Sequence, residues 1–190
     1  MKLGNYAKVR TGLVLSRKEA NAETGLHQYT ALTLKALTES GEIDLDATEP
    51  YYAAVTLKRE YFTHKGDILL RLNAPYTSAL ISKEDEDLLI SSHFTIIRAN
   101  QRIINPYFLH WWLTQNRKRF YRQASGGTMM GTISSGYVSK MEIILPSIDE
   151  QANIGTLIQL AYREQQLLTL LAEKKKQLIN SALWKYTAQK

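Results

Sequence analysis

Asn73-Ala74-Pro75-Tyr76 is the tetrapeptide of this sequence whose residue types and order could do chemistry. It departs by one residue from Asn-Pro-Pro-Tyr, in which an amide and a backbone carbonyl hold the amino group of an extruded adenine while the ring stacks on the base. Methylation of that amino group also needs S-adenosylmethionine, and with it a glycine-rich turn after a strand of a doubly wound sheet. Gly12, Gly25, Gly41 and Gly66 are isolated, so nothing before Asn73 supplies that turn. A loop leaving the stretch Asp67 to Leu72 explains the Asn and Pro more simply. Asn105-Pro106-Tyr107-Phe108 is a second near match. There, Asn as a helix cap and Pro at the first helical position is the stronger reading.

Other chemistries have less to stand on. His27, His64, His93 and His110 show no metal-ligand spacing and fit strand or helix faces. Glu84-Asp85-Glu86-Asp87 fits an exposed turn better than a cation loop. No Glu-x-Lys pair follows Glu60 or Asp67 on a strand, as a metal-dependent nuclease would need, and no phosphate-binding Walker loop is present. Cysteine is absent, which removes disulfides, thiolate zinc sites and a cysteine nucleophile. No metal and no cofactor is expected in this chain.

The chain has 190 residues, 44% of them hydrophobic and 22% charged, enough for one domain with a real core plus an appendage. It lacks the apolar run of a signal peptide after Met1-Lys2-Leu3, and charges interrupt every apolar stretch before membrane-spanning length. A cytoplasmic location is the expectation. Net charge is +6, which favours a polyanionic partner. Residues 1–149 carry 18 Lys and Arg against 15 Asp and Glu, and residues 150–190 carry 6 against 3. The acids clump at Glu39 to Glu49 and Glu84 to Asp87. The bases occur elsewhere, at Arg10, Arg17, Lys18, Arg71, Arg98, Arg102 and the run Arg117-Lys118-Arg119 with Arg122. Such segregation can present a basic face to phosphates.

The elements that must position these residues divide near Pro146. Before it, strands are expected at Leu13 to Leu15, Tyr51 to Leu57, Asp67 to Leu72, Ala79 to Ile81, His93 to Arg98 and Met141 to Leu145. A short helical stretch is expected from Thr33 to Glu39, ended by Gly41. A helix capped by Asn105 should run to about Tyr121, apolar first and basic from Arg117 to Arg122. Ser125 to Gly136 then holds four glycines in twelve residues; it fits a loop that approaches a nucleic-acid backbone or a plain connector equally well. From Glu150 to about Tyr186 there is no proline, and Ser147 or Asp149 can cap. Ile154, Leu157, Ala161, Leu168, Leu171, Leu178 and Ala182 recur at spacings of three and four, with Glu164 and Lys175 in the same seam. Roughly 36 residues make a helix of about 54 Å. Its stripe outruns the preceding domain, so a coiled coil with a second helix is expected; a helix folded back on its own domain is the alternative. The fold class is α/β (α+β): a mixed, β-rich domain over residues 1–146, then one long helical region over 147–190.

Several segments resemble one family, the specificity (S) subunits of type I restriction-modification systems. "YFTHKGDILL" (61–70) is similar to the Gly-Asp-Ile-Leu element of their target recognition domains, and "INPYFLHWWLTQ" (104–115) to the helix that follows a proline. "GGTMMGTISSGYVSKMEIILPSIDEQANIGTLI" (126–158) is the most specific match: a glycine-rich loop, a strand, a Leu-Pro pair, an acid-Gln pair and the start of the conserved-region helix. "LGNYAKVRTGLVLSRKEA" is similar to a typical recognition-domain opening. A usual S subunit has two recognition domains and two helical regions, whereas this chain has one of each. The resemblance therefore implies a half-length subunit that pairs with itself, and the Met-led start and Lys-ended helix fit a natural half subunit; a fragment of a longer chain is the alternative.

The resemblance implies a non-catalytic reader of double-stranded DNA, with two domains held apart by their helices over a bipartite palindromic target. Residue type and loop location nominate Arg17, Lys18, Arg71, Asn73, Tyr76, Thr77 and the loop residues Ser125, Gly126, Gly127, Thr128, Met129, Ser134 and Ser135 for the DNA face. Arg117, Lys118 and Arg122 are nominated as phosphate clamps. By the same resemblance, a modification subunit would bring S-adenosylmethionine and methylate adenine, and a restriction subunit would bring ATP and Mg. Two alternatives remain: a stand-alone small adenine-N6 methyltransferase using Asn73 to Tyr76, and an orphan or anti-restriction DNA-binding module.

Overall fold

A computed structural model describes residues 1–21, 25–126 and 131–187. Seven strands, β1 (Ala7–Thr11), β2 (His27–Leu32), β3 (Glu49–Ala53), β4 (Asp67–Arg71), β5 (Ser78–Leu80), β6 (Leu89–Ile90) and β7 (Phe94–Ala99), precede four helices, α1 (Pro106–Gln115), α2 (Arg117–Ser125), α3 (Ser135–Lys140) and α4 (Ile148–Thr187). The mixed α/β class with a long final helix is as expected.

The strands form two sheets, ordered β1-β7-β4-β5 and β3-β2-β6. β4 and β7 sit in the middle of the first because both of their faces are apolar, as buried central strands require. Ile68, Leu70 and Ile97 point into a core shared with Phe108, Leu109, Leu113 and Phe120 of the helices. Leu69, Phe94 and Ile96 point the other way, into a core with Leu32, Leu37 and Ile90. The antiparallel register sets Asp67 opposite Arg98. Asp67 is buried and Arg98 grips it through Nε and Nη2, at 2.7 and 2.6 Å. Gly66, at φ +84°, makes the turn that delivers Asp67, a conformation that side chains with a Cβ disfavour.

Five expectations are corrected. The first strand is Ala7–Thr11, with polar Lys8 and Arg10 on an edge, and Leu13 makes only a single bridge to Ser91 before a 3-10 turn at Leu15–Arg17. Thr33 to Glu39 is not helical: Thr33 Oγ1 accepts from Ala36 N–H, and a bridge joins Leu37 to Ile43. Met141 to Leu145 runs extended, with a lone bridge from Glu142 to Lys2 in place of a ladder. The helix after Asn105 breaks at Asn116, whose side chain donates back to Trp112 O at 2.8 Å. β2 and β6 lie where no strand was expected, and the Tyr51 strand closes at Ala53.

The long helix matches its expectation and spans 40 residues, about 60 Å at 1.5 Å per residue. Ser147 caps it in a reciprocal box with Glu150 (Ser147 N–H to Glu150 Oε2 2.9 Å, Ser147 Oγ to Glu150 Oε2 2.7 Å). Those bonds hold the Glu150 carboxyl below its ordinary pKa. Gln151 and Gly155 are its buried residues, against α1. A Cβ on Gly155 would come within 3.1 Å of Asn105 Oδ1 and 3.3 Å of Tyr107 Cβ, so a side chain there would press on the Asn105 cap of α1. Among the described residues, no helix is long and apolar enough to cross a membrane.

Candidate nucleic-acid interface

One end of the first sheet gathers segments far apart in sequence. After β4, Leu72 N–H donates to His93 O at 2.9 Å, and Ile133 N–H donates to Leu72 O at 2.8 Å. Asn73 pairs with Thr132 in an antiparallel bridge. At the end of β1, the Thr11 and Ser135 hydroxyls lie 2.8 Å apart. The ends of β1 and β4, the turn before β7 and the 131–135 segment therefore share one edge. α2 closes over it, with Phe120 and Ala124 buried beneath.

The Asn73 to Tyr76 turn is braced from within. Tyr76 is 2% exposed, and its ring meets Tyr121 edge-on, with centroids 4.8 Å apart. Its hydroxyl donates to Gly131 O at 2.8 Å, and burial pushes the phenol pKa up. Arg117 Nε donates to Pro75 O, and its Nη2 reaches Thr77 Oγ1 at 3.4 Å. Arg71 Nε donates to Asn73 Oδ1 at 2.9 Å. These contacts correct three nominations. Tyr76 and Thr77 are buried and present nothing to a base, and Arg117 braces the turn instead of standing free as a phosphate clamp. The buried ring has no face left on which an extruded adenine could stack, so the tetrapeptide is a structural turn.

What remains outward on this edge is basic and polar. Lys118, Arg119 and Arg122 are exposed on α2, and none takes part in an ion pair among the described residues. Arg119 and Arg122 line a shallow depression with Gln123 and Tyr137. Arg71 and Asn73 stay half-exposed, and Thr132 is exposed. Ser125 ends α2, its hydroxyl donating to Tyr121 O at 2.9 Å, and Gly126 follows at the helix end. Ser134 caps α3 by accepting from Tyr137 N–H at 3.1 Å. Gly127, Thr128 and Met129 lie outside the described residues.

Arg17 and Lys18 are exposed at the 3-10 turn Leu15–Arg17. The next residues run beside β3, with Glu19 bridged to Ala53 and Ala20 N–H donating to Tyr52 O at 2.9 Å. Arg10 and Arg98 are withdrawn from any phosphate-facing set by Glu60, at 2.6 Å, and Asp67, at 2.6 Å. Each carboxylate raises the pKa of its guanidinium against the opposing cost of burial. Thr11 and His93 belong to the edge and Arg119 is exposed on α2, yet sequence reasoning did not select them, whereas Thr132 lies in the glycine-rich loop nominated for the DNA face. Arg119 could have been read from the basic run, whereas Thr11 and His93 depend on strand register. Among the described residues, no three His, Asp or Glu side chains converge as a metal site requires.

The seam residues of α4 also separate. Ile154 is partly buried against its own domain's core and is withdrawn from a coiled-coil seam. Leu157, Leu168, Leu171 and Leu178 are exposed, as are Ala161 and Ala182. Leu160, Leu167, Ile179 and Leu183 join them as exposed large apolar residues.

Nothing among curated protein sequences matches the chain. The solved structure of the HsdS subunit from Thermoanaerobacter tengcongensis is similar over 93% of this chain and 45% of that one, with a TM-score of 0.68 and 20% identity. A chain from a study of complex assembly and conformational transition of the type I R-M system is similar at TM-score 0.68 and 18% identity, over 93% of this chain and 45% of that one. The S subunit of the M. genitalium type I system matches at TM-score 0.55 and 12% identity, over 88% and 39%. The chain thus spans less than half the length of these structures, which at such identities share its fold. The family model of the type I restriction modification DNA specificity domain matches residues 1–181, and the chain belongs to that family.

Proposed function

We propose that this chain is the DNA-reading specificity subunit of a type I restriction-modification enzyme, has no catalysis of its own, and works as a homodimer. The observation that carries the reading is α4, a 40-residue helix that leaves its domain with an apolar stripe from Leu157 to Leu183 exposed. An uncovered stripe of that length is a helix-pairing seam. Two chains joined through antiparallel α4 helices would present two recognition domains related by a two-fold axis, and would read two inverted half-sites. The helix, at about 60 Å, exceeds one DNA turn of about 34 Å, so the target would be bipartite.

On each domain, Lys118, Arg119 and Arg122 would hold phosphates, and the Asn73 edge would approach the bases. A modification subunit would bring S-adenosylmethionine to methylate adenine, and a restriction subunit would bring ATP and Mg, with all of them in the cytoplasm. Light scattering combined with selection of bound duplexes from a random library tests the reading. A mass of two chains and an inverted, interrupted site are expected. A monomer bound to one undivided site would overturn it.

A further inference from the structure

α4 is fixed to its domain at two heights. At the base, Gln151 is 1% exposed. Its Nε2 donates to Pro146 O at 2.9 Å and Ile103 O at 3.2 Å, and its Oε1 accepts from Asn105 N–H at 2.9 Å. Eleven residues further along, the Tyr162 hydroxyl donates to the Glu42 carboxylate. Gln166, one turn on, accepts from Arg163 Nη1 of the same helix at 3.4 Å. Beyond Gln166, the side-chain hydrogen bonds of Thr169, Lys174 and Thr187 stay within the helix, and its described residues are all exposed.

Glu42 is a firm abutment for its place on the surface. Thr38 N–H and Thr38 Oγ1 both donate to Glu42 O at 3.0 Å, and Glu42 N–H donates to Thr38 Oγ1 at 3.0 Å. Ser40 Oγ donates to Glu42 Oε2 at 3.2 Å. The bridge from Leu37 to Ile43 roots this tight turn in the core, where Leu37 is buried.

We propose that Glu42 and Tyr162 are a positioning pair that sets the tilt of α4 on the recognition domain and, through it, the number of base pairs between two half-sites. The proposal rests on the homodimeric reading above. The lever arms give its size. Gln151 to Tyr162 is about 16 Å along the helix and Gln151 to Thr187 about 54 Å. A displacement of about 1 Å at Tyr162 therefore grows to about 3 Å at the tip, close to the rise of one base pair, about 3.4 Å.

The test is selection by the full-length chain from duplexes with randomised half-sites and a range of spacer lengths. The wild type is expected to return one spacer. Tyr162→Phe, which removes one exposed hydroxyl, and Glu42→Ala are expected to return the same half-site sequences over at least two spacer lengths. Glu42→Gln keeps an acceptor oxygen and is expected to return the single spacer. A second readout needs no DNA. Spin labels on cysteines introduced at Lys58 and Lys185, in chains diluted with unlabelled protein, should give a broader distance distribution in Tyr162→Phe than in the wild-type background. A bipartite wild-type site with the same single spacer in Tyr162→Phe, or an unchanged distance distribution, overturns the positioning pair alone. An undivided wild-type site overturns the homodimeric reading and the spacing role with it.

Discussion

The Tyr76 ring stands perpendicular to that of Tyr121, 89° between planes, so the side chain that looks most like a base-stacking platform is a strut between the β4–β5 turn and α2. Truncating it opens a cavity beneath Phe120 and frees Gly131 O. Tyr76→Ala is expected to cost about 3–5 kcal/mol in denaturant unfolding, as large aromatic truncations in cores do. Tyr76→Phe loses one hydrogen bond and about 1 kcal/mol, with base preference unchanged. A Tyr76→Ala protein of wild-type stability that fails to bind DNA would return Tyr76 to the reading surface.

Lys118, Arg119 and Arg122 should behave as phosphate-binding side chains. Replacing all three by Gln is expected to weaken binding about equally across sequences and to lower the slope of log K against log salt by roughly 0.9 for each phosphate no longer neutralised. Anisotropy titrations at several salt concentrations check this. Arg71→Ala, by contrast, frees Asn73 and changes the edge itself, so it is expected to alter which sequence is preferred. Loss of preference in the triple variant with an unchanged salt slope would reverse these roles.

Arg98 and Asp67 show why some of this was legible in sequence and some was not. Local signals carried over directly: Asn105 accepts from Tyr107 and Phe108 N–H, Ser147 boxes with Glu150, and Ile68-Leu69-Leu70 is buried on both faces. Each depends on neighbours a few residues apart. Arg98 read as a free base because its partner lies 31 residues away, and only strand register joins them. β1 was hidden because its edge position lets Lys8 and Arg10 break the apolar pattern, and β2 because His27 to Thr30 alternate half-exposed and exposed. Tyr76 looked like a reader until α2 folded back onto it. Asp67→Asn is expected to cost roughly 1.5–3 kcal/mol, the worth of hydrogen bonds to a charged group. An Asp67→Asn/Arg98→Gln double variant should lose less than the two single costs combined.

The Glu42–Tyr162 contact also predicts a pH window. Burial and Glu42 raise the Tyr162 pKa to about 12, and the Tyr162 hydroxyl lowers that of Glu42. A raised tyrosine contributes stability that is complete below its unfolded value of about 10 and is lost as pH climbs through the folded value. A lowered carboxyl contributes stability present above its unfolded value, about 4.3, and lost as pH falls through the lower folded value. The stability difference between wild type and Tyr162→Phe should therefore be flat from about pH 5 to 9 and shrink on both sides. A difference that varies between pH 6 and 8 would assign the contact to another titrating group.

The stripe on α4 lets the proposed pairing be tested apart from folding. Leu171 and Leu178 are 50% and 71% exposed and lie beyond the Tyr162–Glu42 contact, so a charge there disturbs nothing in the recognition domain. On the homodimeric proposal, Leu171→Asp with Leu178→Asp would place like charges across the two-fold seam and leave each chain's own core intact. The variant is expected to sediment as a monomer with unfolding of the β-rich domain at the wild-type denaturant midpoint. It should bind a single half-site far more weakly than the dimer binds two, because engagement of the second half-site is no longer intramolecular. Leu109→Ala, in the core of α1, is the opposite control: it should lose about 2–5 kcal/mol and still dimerise where folded. If the double-Asp variant stays dimeric, pairing runs through some surface other than the stripe from Leu157 to Leu183.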